Sequence, residues 1–319
     1  MIDIKLVRYY VFDVIILEII KKLTVYNMKT YIISCIFFIF FACKTDKQNI
    51  IDDAYKSEFK AYKKQGEKNR VNYLQLTGLF KLDSLENTFG KDTINDFVLQ
   101  INSLPKTIGT ISVLKDDLTF NASKYAIVKT QQDSVVTKLS LQLNEYGSSI
   151  KLYHEQLNWQ IITRAGSLYL RVWDIKNPAI STFKGFELFN LNPDFILDGQ
   201  FTYYDTTKTE EVHSQLGVNT RTNFIGNVVF IYKDQSYSLD VGQNGFTMVN
   251  DLTSGNETYG GGRYIYLDLP KTDSIVHLDF NRLYNPPCAF SEFTTCLYPP
   301  RQNHLQFEVL AGEKIIRKN

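Results

Sequence analysis

Hydrophobic and polar positions alternate with two different periods along this chain, and the change of period divides it. In "IIDDAYKSEFKAYKKQGEKN", Ile51, Tyr55, Phe59 and Tyr62 recur at helical spacing with charged residues between them. That spacing predicts a short amphipathic helix, begun near Asp52 and stopped at Gly66, with its aromatic face packed on the domain behind it. From Val71 onward the period is two. The segments FVLQI, IGTISVL, KYAIVKT, VVTKLSLQL, SIKLYHEQLNWQIIT, SLYLRVW, FILDGQFTYYD, NVVFIYKD, SYSLDV, RYIYLDL, IVHLDF and LQFEVL alternate or run rich in β-branched and aromatic residues. NEYGS, RAGS, NPDF, KDQS, QNG and KTDS supply turns between them. Such a series predicts an all-β fold, an antiparallel sandwich or barrel-like arrangement, in a single domain over 71–319.

Composition agrees with this reading. The 319 residues include 20 Tyr and 22 Phe but only 8 Pro, enough aromatic mass for a large core and too little Pro for a fibrous or disordered chain. The net charge of +1 supplies no global field that would favour nucleic acid.

The N-terminus carries a different signal. In "MKTYIISCIFFIFFACKTDKQ", starting at Met28, Lys29 precedes an uncharged run from Tyr31 to Phe41, followed by Ala42 and Cys43. The run is shorter than the roughly 20 residues of a spanning helix and has the length of a signal-peptide core. It resembles a bacterial lipoprotein signal, although Phe40 and Phe41 stand where a Leu and a small residue are usual. The expectation is therefore a start at Met28, cleavage before Cys43, and a lipid on Cys43 that holds the domain to the membrane of the cell envelope. Residues 43–70 are then spacer and helix. The rival expectation is an apolar anchor, but Asp13 and Glu18 interrupt the other greasy stretch, Tyr9 to Ile20. Removing 1–42 leaves 30 basic and 31 acidic residues, so charge would not bind the domain to a membrane.

After such cleavage Cys288 and Cys296 are the remaining unmodified pair, and an exported chain with one leftover pair suggests a disulfide. Reduced thiols, a zinc site and a catalytic cysteine are the alternatives. A zinc site lacks further ligands beyond His304, and a nucleophile lacks an evident His partner.

The loop "DLTSGNETYGGGRYIYLDLP" runs three glycines, Gly260 to Gly262, into Arg263. A phosphate-cradling loop needs Lys-Ser/Thr and a helix after its glycines, whereas a strand follows here. Glycines entering a strand more often mark a bulge or a close backbone approach. In "LDFNRLYNPPCAFSEFTTCLYPP", Asp279 and Asn281 are two residues apart and so share a strand face. The short KTDS turn makes their strand an antiparallel neighbour of the one begun by Arg263, so that Arg263, Asp279 and Asn281 converge, either on a ligand or in a structural salt bridge. In "RVWDIKNP", Arg171 and Asp174 stand at a strand end, where Asp174 suits turn chemistry.

Several stretches together resemble a known family. "LTGLFKLDSLENTFG", "LRVWDIKNPAISTFKGFELF", "DLTSGNETYGGGRY", "LDFNRLYNPPCAF", "TTCLYPP" and "NHLQFEVLAGEK" make residues from about Tyr73 to Lys314 similar to the bacterial and archaeal domain of unknown function 1684. Matched positions include Arg171, Asp174, Asp251, Thr258, Tyr259, Gly262, Arg263, Asp279, Asn281 and Glu313, while Lys81 stands where the family usually has Trp. The resemblance implies no activity. These ten positions are the candidate ligand-binding residues, with no metal and no cofactor expected. The expected function is a lipid-tethered domain binding a small polar ligand or glycan near the glycine loop. The alternatives are an envelope hydrolase using Asp251, Asp279 or Glu313, and a structural or partner-binding lipoprotein.

Overall fold

The computed structural model describes residues 51–316, apart from 116, 216 and 218. The expected signal segment and Cys43 lie outside the described residues. Helix α1 (Asp53–Leu74) opens where Asp52 accepts a hydrogen bond from the Tyr55 backbone amide at 2.8 Å. It does not stop at Gly66. A mid-helix Gly costs about 1 kcal/mol relative to Ala, and packing beyond it offsets that cost, since Arg70 and Leu74 are both buried.

Eleven strands follow: β1 (Leu76–Lys81), β2 (Glu86–Gly90), β3 (Phe97–Val98), β4 (Gly109–Leu114), β5 (Asp117–Ala122), β6 (Val128–Thr130), β7 (Val135–Val136), β8 (Lys138–Ser140), β9 (Leu152–His154), β10 (Leu157–Arg164) and β11 (Ser167–Asp174). They form a six-stranded sheet, β1-β11-β10-β9-β6-β7, and a five-stranded sheet, β3-β2-β4-β5-β8. The ladders are antiparallel except for the short β2–β3 pair. Period-two alternation sends Trp159, Ile161, Leu170 and Val172 of the first sheet inward to meet Phe89, Ile111 and Phe120 of the second. The result is a sandwich, and no closed barrel forms among the described residues.

Helix α2 (Pro178–Thr182) leads into a second group of strands: β12 (Ile196–His213), β13 (Asn219–Tyr232), β14 (Gln235–Gly242), β15 (Phe246–Val249), β16 (Arg263–Tyr266) and β17 (Ser274–Asp279). Four make a sheet in the order β14-β13-β12-β17, while β15 and β16 pair as a ribbon. The expected hairpin between the Arg263 and Asp279 strands is not formed, because β16 pairs with β15 and β17 pairs with β12. "LQFEVL" is not a strand either. Leu305 and Val309 are buried, but this segment makes its hydrogen bonds singly with Asn250, Leu252 and Asp251. A separate core of Phe201, Phe230, Val241, Leu278, Phe280 and Val309 fills this half.

Candidate functional site

The glycine loop folds onto other parts of its own chain. Gly262 has φ +79°, and a Cβ built there would lie 2.5 Å from Pro299 Cγ and 2.8 Å from the Val249 carbonyl oxygen. A Cβ at Gly261 would lie 2.5 Å from the Tyr259 ring. The missing side chains thus admit neighbouring backbone and rings.

Arg263, placed by this turn at the start of β16, is 1% exposed. Its Nη2 donates to Asp251 Oδ2 at 2.9 Å and to the Val309 carbonyl at 2.9 Å. Nη1 donates to the Ala311 carbonyl and, at 3.3 Å, to that of Glu313. Asp251 uses its other oxygen to accept from Thr253 N, Thr253 Oγ1 and Val309 N at 2.9, 2.6 and 3.1 Å. Thr258 joins through a 2.8 Å contact to Thr253 Oγ1. Burial pushes the Arg263 guanidinium down and Asp251 pulls it back up. The carboxylate partner of Arg263 is therefore Asp251, and Asp279 lies elsewhere.

Asp279 and Asn281 hold other elements together. Asp279 Oδ2 accepts from Tyr55 Oη of α1 and from Arg282 Nε, each at 2.9 Å. Its Oδ1 accepts from Asn281 N at 3.1 Å, opening a 3-10 turn over 280–282. Asn281 exchanges two hydrogen bonds with the backbone of Asn192. Asp174 accepts from Lys176 N and Gln156 Nε2, as a turn carboxylate does. Tyr259 is half-buried, and burial pushes its hydroxyl up. The Arg171 side chain, on β11, makes no hydrogen bond or ion pair among the described residues.

Glu313 is the candidate that faces open space. Its Oε1 meets Arg70 Nη1 at 2.5 Å and its Oε2 accepts from Asn285 N at 2.7 Å. The Arg70 guanidinium lies 4.0 Å from the Phe186 ring centre and 5.1 Å from that of Tyr284, an aromatic seat for the cation. Above this pair a cleft of about 390 Å³ opens between α1 and β16, lined also by Tyr62, Tyr266, Asp268 and Arg282. The Tyr62 hydroxyl, pushed up to about 12 by burial, donates to the Arg282 carbonyl at 2.7 Å. Tyr266 and Tyr284 lie nearly parallel, 8° apart with ring centres separated by 6.4 Å. The sequence pattern misses Arg70 because Gly66 reads as a helix stop. The i, i+4 spacing of Tyr62, Gly66 and Arg70 is the signal that could have found it.

Cys288 and Cys296 are joined by a disulfide with a Cα–Cα distance of 6.1 Å. Among the described residues no group of three or more His, Cys, Asp and Glu is placed to hold a metal ion.

Residues 181–314, which contain the Arg263 network and most of the cleft's β-side wall, match the family model described as protein of unknown function (DUF1684). Over these residues the chain is similar to that family. The match opens within α2, so the resembling stretches Leu76–Gly90 and Leu170–Ile180 precede it, as do Arg171 and Asp174. An uncharacterized protein of Haloarcula marismortui, known from a solution NMR structure, is 27% identical over 43% of this chain and 80% of its own, with a TM-score of 0.35. No curated protein matches.

Proposed function

We propose that this is an exported, lipid-anchored binding protein whose DUF1684-like region and helix α1 hold a small polar ligand, such as a glycan, in the cleft between them. The observation that carries the reading is the pairing of tyrosine rings Tyr62, Tyr266 and Tyr284 with the Arg70–Glu313 pair around about 390 Å³ of open space. Apolar ring faces beside a few fixed polar groups are what a polar, hydroxylated ligand requires. The glycine loop takes part indirectly, by packing the chain so that Arg263 opens β16 and Tyr266 ends it at the cleft. Lipid attachment at Cys43 rests on the signal-like sequence, and the Cys288–Cys296 disulfide is compatible with an exporting route. A hydrolase reading would draw on Glu313 and Asp268 in the same cleft, but both Glu313 oxygens already accept hydrogen bonds.

The test is a titration of the protein with a panel of neutral oligosaccharides and small polar metabolites, followed by NMR. Tyr266 is 61% exposed, so Tyr266→Ala should abolish binding while leaving the unfolding midpoint nearly unchanged. Ligands whose binding is indifferent to Tyr266→Ala would move the site elsewhere. Separately, Cys43→Ser should release the protein from the membrane fraction, and continued membrane retention would refute the lipid anchor.

A further inference from the structure

The six-stranded sheet carries a second candidate site on its outer face, entirely before the family-matched residues 181–314. Alternation along β10 and β11 sends Trp159, Ile161, Leu170 and Val172 into the core. Asn158, Arg164, Arg171 and Trp173 must therefore point the other way. The register places Asn158 opposite Trp173, and Gln160 opposite Arg171. Lys151 reaches the same spot from the segment before β9, its Nζ 4.4 Å from the Trp173 ring centre, with the Arg171 guanidinium 6.0 Å from that ring.

Two features of this face ask for an occupant. First, no carboxylate pairs with Lys151, Arg164 or Arg171 among the described residues. Asp174 accepts in its own turn, and Asp83 pairs with Lys81. Second, two buried polar atoms have no partner, the Arg171 Nε donor and the Asn158 Oδ1 acceptor. A buried polar group left unpaired is costly, so these two atoms call for a partner that the chain itself does not supply. Burial, followed by repulsion from Arg164, pushes the Arg171 guanidinium down to about 10, against a smaller upward pull from Tyr73.

We propose that Arg171 and Lys151, with Asn158 beside Trp173, bind a hydroxylated carboxylate of the sugar-acid type. The carboxylate supplies the negative charge that these two cations lack, and a planar guanidinium suits it. A neighbouring hydroxyl supplies the donor that Asn158 Oδ1 lacks. A neutral sugar offers only the second, and bare phosphate mainly the first.

The probe is D-glucuronate, with D-glucose and inorganic phosphate as controls, titrated into the full chain and followed by calorimetry and tryptophan fluorescence. Glucuronate should bind in a salt-sensitive manner, and more tightly than either control. Lys151→Gln, at an exposed position, should weaken it at least several-fold with an unchanged unfolding midpoint, and Arg171→Gln should weaken it further. Tyr266→Ala should leave it intact, which separates this site from the cleft of the DUF1684-like region. Absence of glucuronate binding, binding unaffected by Lys151→Gln, or phosphate binding as tightly as glucuronate would each overturn the proposal.

Discussion

Arg263 meets Asp251 at 2.9 Å with neither side chain reachable by water, their exposures being 1% and 0%. The pair connects the loop after β15, the start of β16 and the C-terminal segment through the Val309, Ala311 and Glu313 carbonyls. Such a staple is costly to half-remove. Arg263→Met should destabilise by roughly 3–5 kcal/mol because it strands a buried carboxylate. The double variant Arg263→Met, Asp251→Leu should lose less than the two single variants summed. Urea unfolding of the four proteins measures this, and a single-variant loss below about 1 kcal/mol would show that water reaches the pair after all.

The glycine loop gives a sharper positional contrast. Gly262 combines φ +79° with a backbone oxygen 2.8 Å from where a Cβ would sit, whereas at Gly260 the nearest atom, Gly255 Cα, is 3.5 Å away. Gly262→Ala should therefore cost more than about 1 kcal/mol, beyond the usual entropic gain of replacing Gly. Gly260→Ala should be nearly neutral. ATP should move the midpoint of neither variant nor the parent, since no helix N-terminus follows the loop. Equal losses at the two glycines would mean that the turn is not shaped by packing at Gly262.

How far the sequence can be read depends on whether a signal is local. Period-two segments such as SLYLRVW and SYSLDV announce β11 and β14 because alternation is set by neighbours in the chain. Strand partners are not legible. The KTDS turn joins β16 to β17 in sequence, yet each finds a different neighbour, since pairing is settled by which edges the two cores leave open. The same limit explains why the sequence points Arg263 at Asp279. Asp251 lies twelve positions before Arg263, and nothing in their spacing marks the contact. Glu313 is legible as a matched family position, but its partner Arg70 is 243 residues away, on a helix whose pattern breaks at a glycine.

That distant pair also yields a pH dependence. Burial pushes the Glu313 carboxyl above its ordinary value of 4.5, against the opposing pull of Arg70 and the Asn285 amide. A carboxyl raised on folding takes up a proton more readily folded than unfolded. Its contribution to stability is then fully present below the unfolded value and is lost as pH rises through the folded one. Glu313→Gln keeps an oxygen for the Asn285 amide and has no charge to bury, so it should lack this slope. Going from about pH 4 to about pH 8, the parent should lose stability relative to the variant, by about 1.4 kcal/mol for each tenfold gain in proton affinity that folding gives the carboxyl. Paired urea unfolding curves at the two pH values measure the change in the gap. If the parent instead gains on the variant as pH rises, Arg70 outweighs burial, and the floor of the cleft is an ion pair held low and charged throughout.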